Sequence, residues 1–222
     1  MVMKKVIVYT LSVLLLLTAC SKMNKTQKGA VIGTGTGAVA GGIIGKASGN
    51  TALGVIIGAA VGGASGAVIG NEMDKQAKEI EQKVPDAKVE RVGEGIIVEF
   101  SDKVLFEHDK SELSSTSKRS LDKLVAVLNA YPDTDIEVQG HTDSDGTNSY
   151  NNDLSERRAS SVSSYLKTKG IDSSRLNTRG FGEEAPGYEN TTDEGKSMNR
   201  RVDFLITANE KMKADAKKQA GE

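Results

Sequence analysis

Glycine recurs at every fourth position through the first third of this chain. It stands at Gly29, Gly33, Gly37, Gly41, Gly45 and Gly49, then at Gly54, Gly58, Gly62, Gly66 and Gly70. Fourteen of the 24 glycines lie between Gly29 and Gly70, and that stretch carries one charged residue, Lys46. In water each glycine in a helix costs about 1 kcal/mol against alanine. Such a helix persists only where another helix packs on the bare stripe or a bilayer forbids an open backbone. Period four sets the glycines on one side, opposite Ile43, Ile44, Val55, Ile56, Ile57 and Val61. As helices, 29–49 and 53–70 would be about 31 Å and 27 Å long, close to the roughly 30 Å of a hydrocarbon core. With Gly49-Asn50 as a turn, the spacing predicts a helical hairpin in the membrane over 29–71, or a zippered oligomer on its surface. Two other readings use the same glycines. A flexible linker would carry more Ser and Pro and less Ile and Val. A nucleotide loop at Gly35-Thr36-Gly37 and Gly41 would need a preceding strand.

The segment before the glycines is of another kind. Lys4 and Lys5 precede the apolar run from Val6 to Leu17, and Thr18, Ala19 and Cys20 follow. This is the pattern of a secretory signal peptide over 1–19, too short and one-sided to span a bilayer. Leu17-Thr18-Ala19-Cys20 resembles a lipobox, the processing signal of bacterial lipoproteins. That resemblance implies cleavage before Cys20, diacylation of its thiol and a lipidated N-terminus over 20–28. Ser21 in place of Asp implies sorting to the outer membrane. An ordinary signal peptide with a chance cysteine is the alternative. Cys20 is the one cysteine, which excludes an intramolecular disulfide and a cysteine-caged zinc. A net charge of −1 argues against nucleic acid as the partner.

Residues 72–87 are dense in charge, and the pattern predicts a solvated linker helix ending near Pro85. From 88 onward the chain reads as globular. Val89–Val92 and Ile96–Phe100 are expected strands around Gly93-Glu94-Gly95. Leu121, Leu124, Val125 and Leu128 mark an amphipathic helix over Ser117–Tyr131, closed by Pro132. Asp135–Asp143 alternates as a strand, Asn152–Lys169 reads as a second helix ended by Gly170, and Val202, Phe204 and Ile206 mark a last strand. The charged tail 209–222 is expected to fray. The class is α/β: a small mixed sheet with two main helices in a sandwich with βαβ crossovers, preceded by the glycine hairpin.

In the second helix, Leu154, Val162, Tyr165 and Leu166 form one stripe at 100° per residue. Arg158 falls inside it and Arg157 outside. A guanidinium on the packed side needs an anionic partner, and Asp143 at the end of the preceding strand is the local candidate. Strand C-termini beside helix starts are where α/β sheets bind ligands. A purely structural Asp–Arg pair explains the same two residues. A hydrolase built on His108, His141 and Asp143 is a further alternative. It lacks a nucleophile elbow and a helical metal motif, and His141 is expected to pack at the strand end. The reading is not an enzyme, with no cofactor and no metal.

Gly140-His141-Thr142-Asp143, Tyr150-Asn151, Leu154-Ser155, Arg158-Ala159 and Asn199-Arg200-Arg201-Val202 together resemble the OmpA C-terminal family over about 88–208. Phe106, Asp109-Lys110-Ser111 and Leu113 resemble its upstream motif, with Glu107-His108 departing from it. The glycine run resembles the glycine-zipper segments of outer-membrane lipoproteins. The resemblance implies an outer-membrane lipoprotein that binds peptidoglycan noncovalently through diaminopimelate of the stem peptide, with the domain facing the periplasm. Its Asp and Arg fall on Asp143 and Arg158, which would grip the ammonium and carboxylate carried on one carbon. Thr142, Asn151, Leu154 and Arg200 fall on lining positions. A membrane-embedded or self-assembling lipoprotein, with peptidoglycan binding secondary, stays open beside it.

Overall fold

The computed structural model describes residue 56, residues 60–107 and residues 110–222. The signal peptide, Cys20, the first glycine run, most of the second, and His108 and Asp109 lie outside the described residues.

The first described helix, α1 (Gly63–Lys83), begins after Gly62 and Gly63, both at positive φ (71° and 67°). A single helix over 53–70 is therefore corrected: two consecutive left-handed residues break it where α1 starts. The solvated linker helix over 72–87 is corrected as well. Ile69, Met73, Ala77 and Ile80 form a fully buried stripe on α1, joined by Val84 at its end. Spacing of three and four residues puts these side chains on the core while Glu72, Lys75, Glu79 and Lys83 pair along the water side.

Strand β1 (Lys88–Val92) turns at Gly93 into β2 (Gly95–Ser101), and a one-turn helix α2 (Asp102–Leu105) follows. Helix α3 (Ser115–Ala130) is capped by the Ser114 hydroxyl, which accepts from Ser117 N–H. Strand β3 (Thr134–Gly140) leads to helix α4 (Asn148–Thr168), capped by Thr147. Then come a 3₁₀ turn (Ser173–Arg175), β4 (Leu176–Gly180), α5 (Asp193–Asn199), β5 (Arg201–Ala208) and α6 (Glu210–Ala220). The sheet order is β1-β2-β5-β3-β4, antiparallel except for the β3–β4 pair, which α4 connects.

Register explains the core. Ile96, Ile206 and Ile136 form one row across the three central strands, and Val98, Phe204 and Val138 form the next. Both rows face α1, α3 and α4, with Phe100 edge-on to Phe204 at 5.6 Å. On the opposite face Ile56 covers Ile97 and Leu205. Gly140 and Gly180 are opposite one another in the β3–β4 register. A Cβ on Gly140 would lie 2.2 Å from the Ser155 carbonyl oxygen, and one on Gly180 would lie 2.6 Å from Glu156 N. These two glycines let α4 rest directly on the strand ends.

Two more expectations change. The fraying tail is a helix: α6 is capped by Asn209, buries Ala216 against α1, and ends where Ser65 Oγ donates to the Glu222 carboxylate at 3.0 Å. Among the described residues the sandwich thus has four long helices rather than two. Strand β4 was not expected from the pattern. Among the described residues, no helix is long and apolar enough to cross a membrane.

Candidate functional site at the end of the third strand

Strand β3 ends at Gly140, and the chain continues as His141-Thr142-Asp143 across the C-terminal edge of the sheet. His141 N–H donates to Arg201 C=O (3.0 Å) and Thr142 N–H to Gly182 C=O (2.9 Å), so backbone bonds fix this turn from both sides. Asp143 Oδ1 accepts from Asp145 N–H at 3.0 Å, and Thr142 Oγ1 donates to the Asp143 carbonyl at 2.9 Å. Asn151, in the first turn of α4, donates Nδ2 to that same carbonyl at 3.2 Å and also to Glu183. Leu154 follows one turn later and is buried. Thr142, Asp143 and Asn151 are therefore brought together by these hydrogen bonds.

Arg158 is 2% exposed, as its place on the apolar stripe predicts. Its Nε donates to Lys110 C=O at 3.0 Å, its guanidinium lies 5.1 Å from the Phe106 ring centroid, and its Nη2 is 3.6 Å from Asp102 Oδ2. Phe106 is held by an antiparallel bridge to Leu113. Arg200 Nη1 donates to Asp143 Oδ2, and Arg200 Nε lies 3.5 Å from Asp102 Oδ2. The expected Asp143–Arg158 pair is corrected, because the two side chains take different partners. Asp143 holds Arg200, and Asp102 stands between Arg200 and Arg158.

Asp102 is the member of this charge cluster that sequence reasoning missed. The β2–β5 register pairs Ser101 with Arg201, and Asp102 N–H donates to Arg200 C=O at 2.9 Å. That register carries Asp102 to Arg200 across 98 positions of chain, a juxtaposition no local pattern encodes. Burial pushes the Asp102 carboxyl above its ordinary pKa, while Arg158 and Arg200 pull it back. The one available signal was an acidic residue directly after a strand of apolar residues.

Behind the edge, His141 stacks on Phe181 with centroids 5.3 Å apart and lies 3.5 Å from Asp203, which Arg201 Nε holds at 3.0 Å. This is the packed strand-end histidine expected from sequence. Burial, reinforced by the Arg201 charge, drives its pKa well below the usual value, so the imidazole is neutral. Burial pushes Asp203 up to about 6. Among the described residues, no group of three His, Cys, Asp or Glu side chains could hold a metal ion. Asn199 does different work. Its amide accepts from Gly187 N–H and Tyr188 N–H and donates to Tyr188 C=O, pinning the loop beside Arg200.

A mixed sheet with α4 laid across its strand ends, and paired charges gathered at the C-terminal edge, defines a small α/β module. Residues 105–200 match the model of the OmpA family, and residues 2–74 match that of the YMGG-like Gly-zipper. The OmpA match follows the glycine-zipper match along the chain. It is 40% identical over 119 residues to probable lipoprotein YiaD of Escherichia coli (54% of each chain). It is 37% identical over 109 residues to outer-membrane lipoprotein YfiB of Pseudomonas aeruginosa (49% of this chain, 65% of that one). The match to outer membrane porin F of the same organism is 41% over 109 residues, 49% of this chain and 31% of that one. The chain thus spans from about a third to two thirds of these relatives' length. Two solved structures share the fold. One is a putative MotB-like protein from Desulfovibrio vulgaris (TM-score 0.59, 24% identity, 64% of this chain and 94% of that one). The other is the cell wall anchor of the T6SS from Pseudomonas aeruginosa (TM-score 0.54, 23% identity, 62% and 97%).

Proposed function

We propose that this chain is a lipid-anchored outer-membrane protein that binds peptidoglycan noncovalently, through diaminopimelate of the stem peptide, and so tethers the outer membrane to the cell wall. The observation that carries the reading is the cluster of Asp143, Arg158, Arg200 and Asp102 at one sheet edge. Two carboxylates and two guanidinium groups match a ligand carbon that bears both an ammonium and a carboxylate. Relatives named as outer-membrane lipoproteins, and the structural neighbour titled a cell wall anchor, support the setting. Acylated Cys20 supplies the bilayer anchor, the first glycine run (29–49) associates with the membrane and with other copies, and the domain faces the periplasm.

In this reading Asp143 receives the ammonium and the arginines receive the carboxylate. Thr142 and Asn151 hold the backbone of the turn in place, and Leu154 walls the cleft. The chain acts by binding, without chemical turnover. The test is co-sedimentation of the full chain in detergent with purified diaminopimelate-type sacculi. Asp143→Ala and Arg158→Ala should each weaken binding tenfold or more. A hydrogen bond to a charged group contributes about 1.5–3 kcal/mol, and roughly 1.4 kcal/mol is a factor of ten. Folded variants that sediment like the parent would remove the assignment.

A further inference from the structure

Arg200 stands where a ligand's ammonium would have to go. Its Nη1 occupies Asp143 Oδ2, and its side chain is 26% exposed, against 3% for Arg158 and 8% for Asp143. Arg200 is therefore the more exposed partner of the Asp143–Arg200 pair. Asp102 offers Oδ2 to both guanidinium groups at 3.5 Å and 3.6 Å, while its Oδ1 is buried with no hydrogen-bond partner among the described residues. The Arg200 backbone is tied to Asp102 N–H, so only its side chain is free to turn. An ammonium entering alone would add one positive charge to this buried cluster. A carbon bearing both charges adds none, and uncompensated buried charge is costly.

We propose that Arg200 is an exchangeable counter-ion that sets the specificity of the site. The ligand's ammonium displaces it from Asp143, Arg200 turns onto the unpartnered Oδ1 of Asp102, and the ligand's carboxylate is received by the guanidinium groups. Asp102 is the positioning residue that lets two cations stand side by side. Selectivity for a carbon carrying both charges, over a plain ammonium, then resides in Arg200. The inference rests on the reading that this cleft takes diaminopimelate.

The experiment is calorimetric titration of the full chain in detergent with two stem tripeptides. One ends in meso-diaminopimelate; the other ends in lysine, which keeps the ammonium and lacks the carboxylate. The parent should prefer the first by tenfold or more. Arg200→Gln opens Asp143 to any ammonium, so the lysine tripeptide should bind at least as well as to the parent and the preference should fall toward one. Arg200→Lys should restore part of the preference. Thermal unfolding of each variant is measured alongside. The proposal is overturned if folded Arg200→Gln keeps the parent's preference, if it loses both ligands together, or if the parent binds both tripeptides equally. A parent that binds neither tripeptide overturns the diaminopimelate reading itself.

Discussion

Arg158 and Arg200 show how burial divides labour between like residues. Arg158 is enclosed by Phe106, Lys110 C=O and Asp102, so a change there disturbs both fold and site. Arg158→Lys should rescue poorly, because an ammonium cannot reproduce the planar fork that serves these partners at once; sacculus binding beside urea unfolding would show it. The buried pair behind the edge makes a pH prediction. Asp203 holds its proton up to about 6 when folded, and an unfolded Asp releases it near 4. The folded state thus binds more protons in that window, and this group adds stability as pH falls from about 6 to 4. Neutral His141 acts in the opposite sense, because the unfolded chain takes up a proton below about 6.5 that the folded imidazole refuses. The two contributions offset. Asp203→Asn removes one of them, so its stability should decline more steeply than the parent's between pH 7 and 5; an unchanged slope in chemical unfolding would contradict this. Arg158 and Asp143 were legible because helical and strand periodicity place them locally. Asp102 and the Arg200 contacts were not, because they arise from strand register.

At the scale of elements, α1 and α6 are part of the domain. Charge density hid this: in α1 each buried residue, Ile69, Met73, Ala77 and Ile80, is separated from the next by charged or amide neighbours. Only the three- and four-residue spacing reveals the stripe. Strand β4 escaped for a related reason. It is a five-residue edge strand whose residues alternate between half-buried and exposed, with Leu176 its one large apolar side chain. Ile80→Ala should destabilise the protein by about 2–5 kcal/mol as a core truncation, whereas a solvated linker would change by within about 0.5 kcal/mol. A fragment cut at 88–208 should accordingly melt far below the full chain. Gly140→Ala tests the contact of α4 with the strand ends. Its Cβ would meet the Ser155 carbonyl, a backbone atom that cannot swing aside. Loss of both stability and sacculus binding is expected, and a variant with the parent's melting temperature would contradict the account.

Across the whole molecule, the proposed function calls for two attachments with different physics. One is a lipid tether at Cys20, which needs two or more acyl chains for firm anchoring. The other is a charge-paired cleft at the end of β3. The central claim, that one chain joins a bilayer to the cell wall, is tested most directly by reconstituting the purified full-length lipoprotein into fluorescent vesicles. These are then sedimented with diaminopimelate-type sacculi. The account predicts that vesicles carrying the parent pellet with sacculi, and that those carrying Asp143→Ala do not. Cys20→Ser protein should bind sacculi yet pellet fewer vesicles than the parent. Vesicles that pellet equally well with the parent and with folded Asp143→Ala would contradict it.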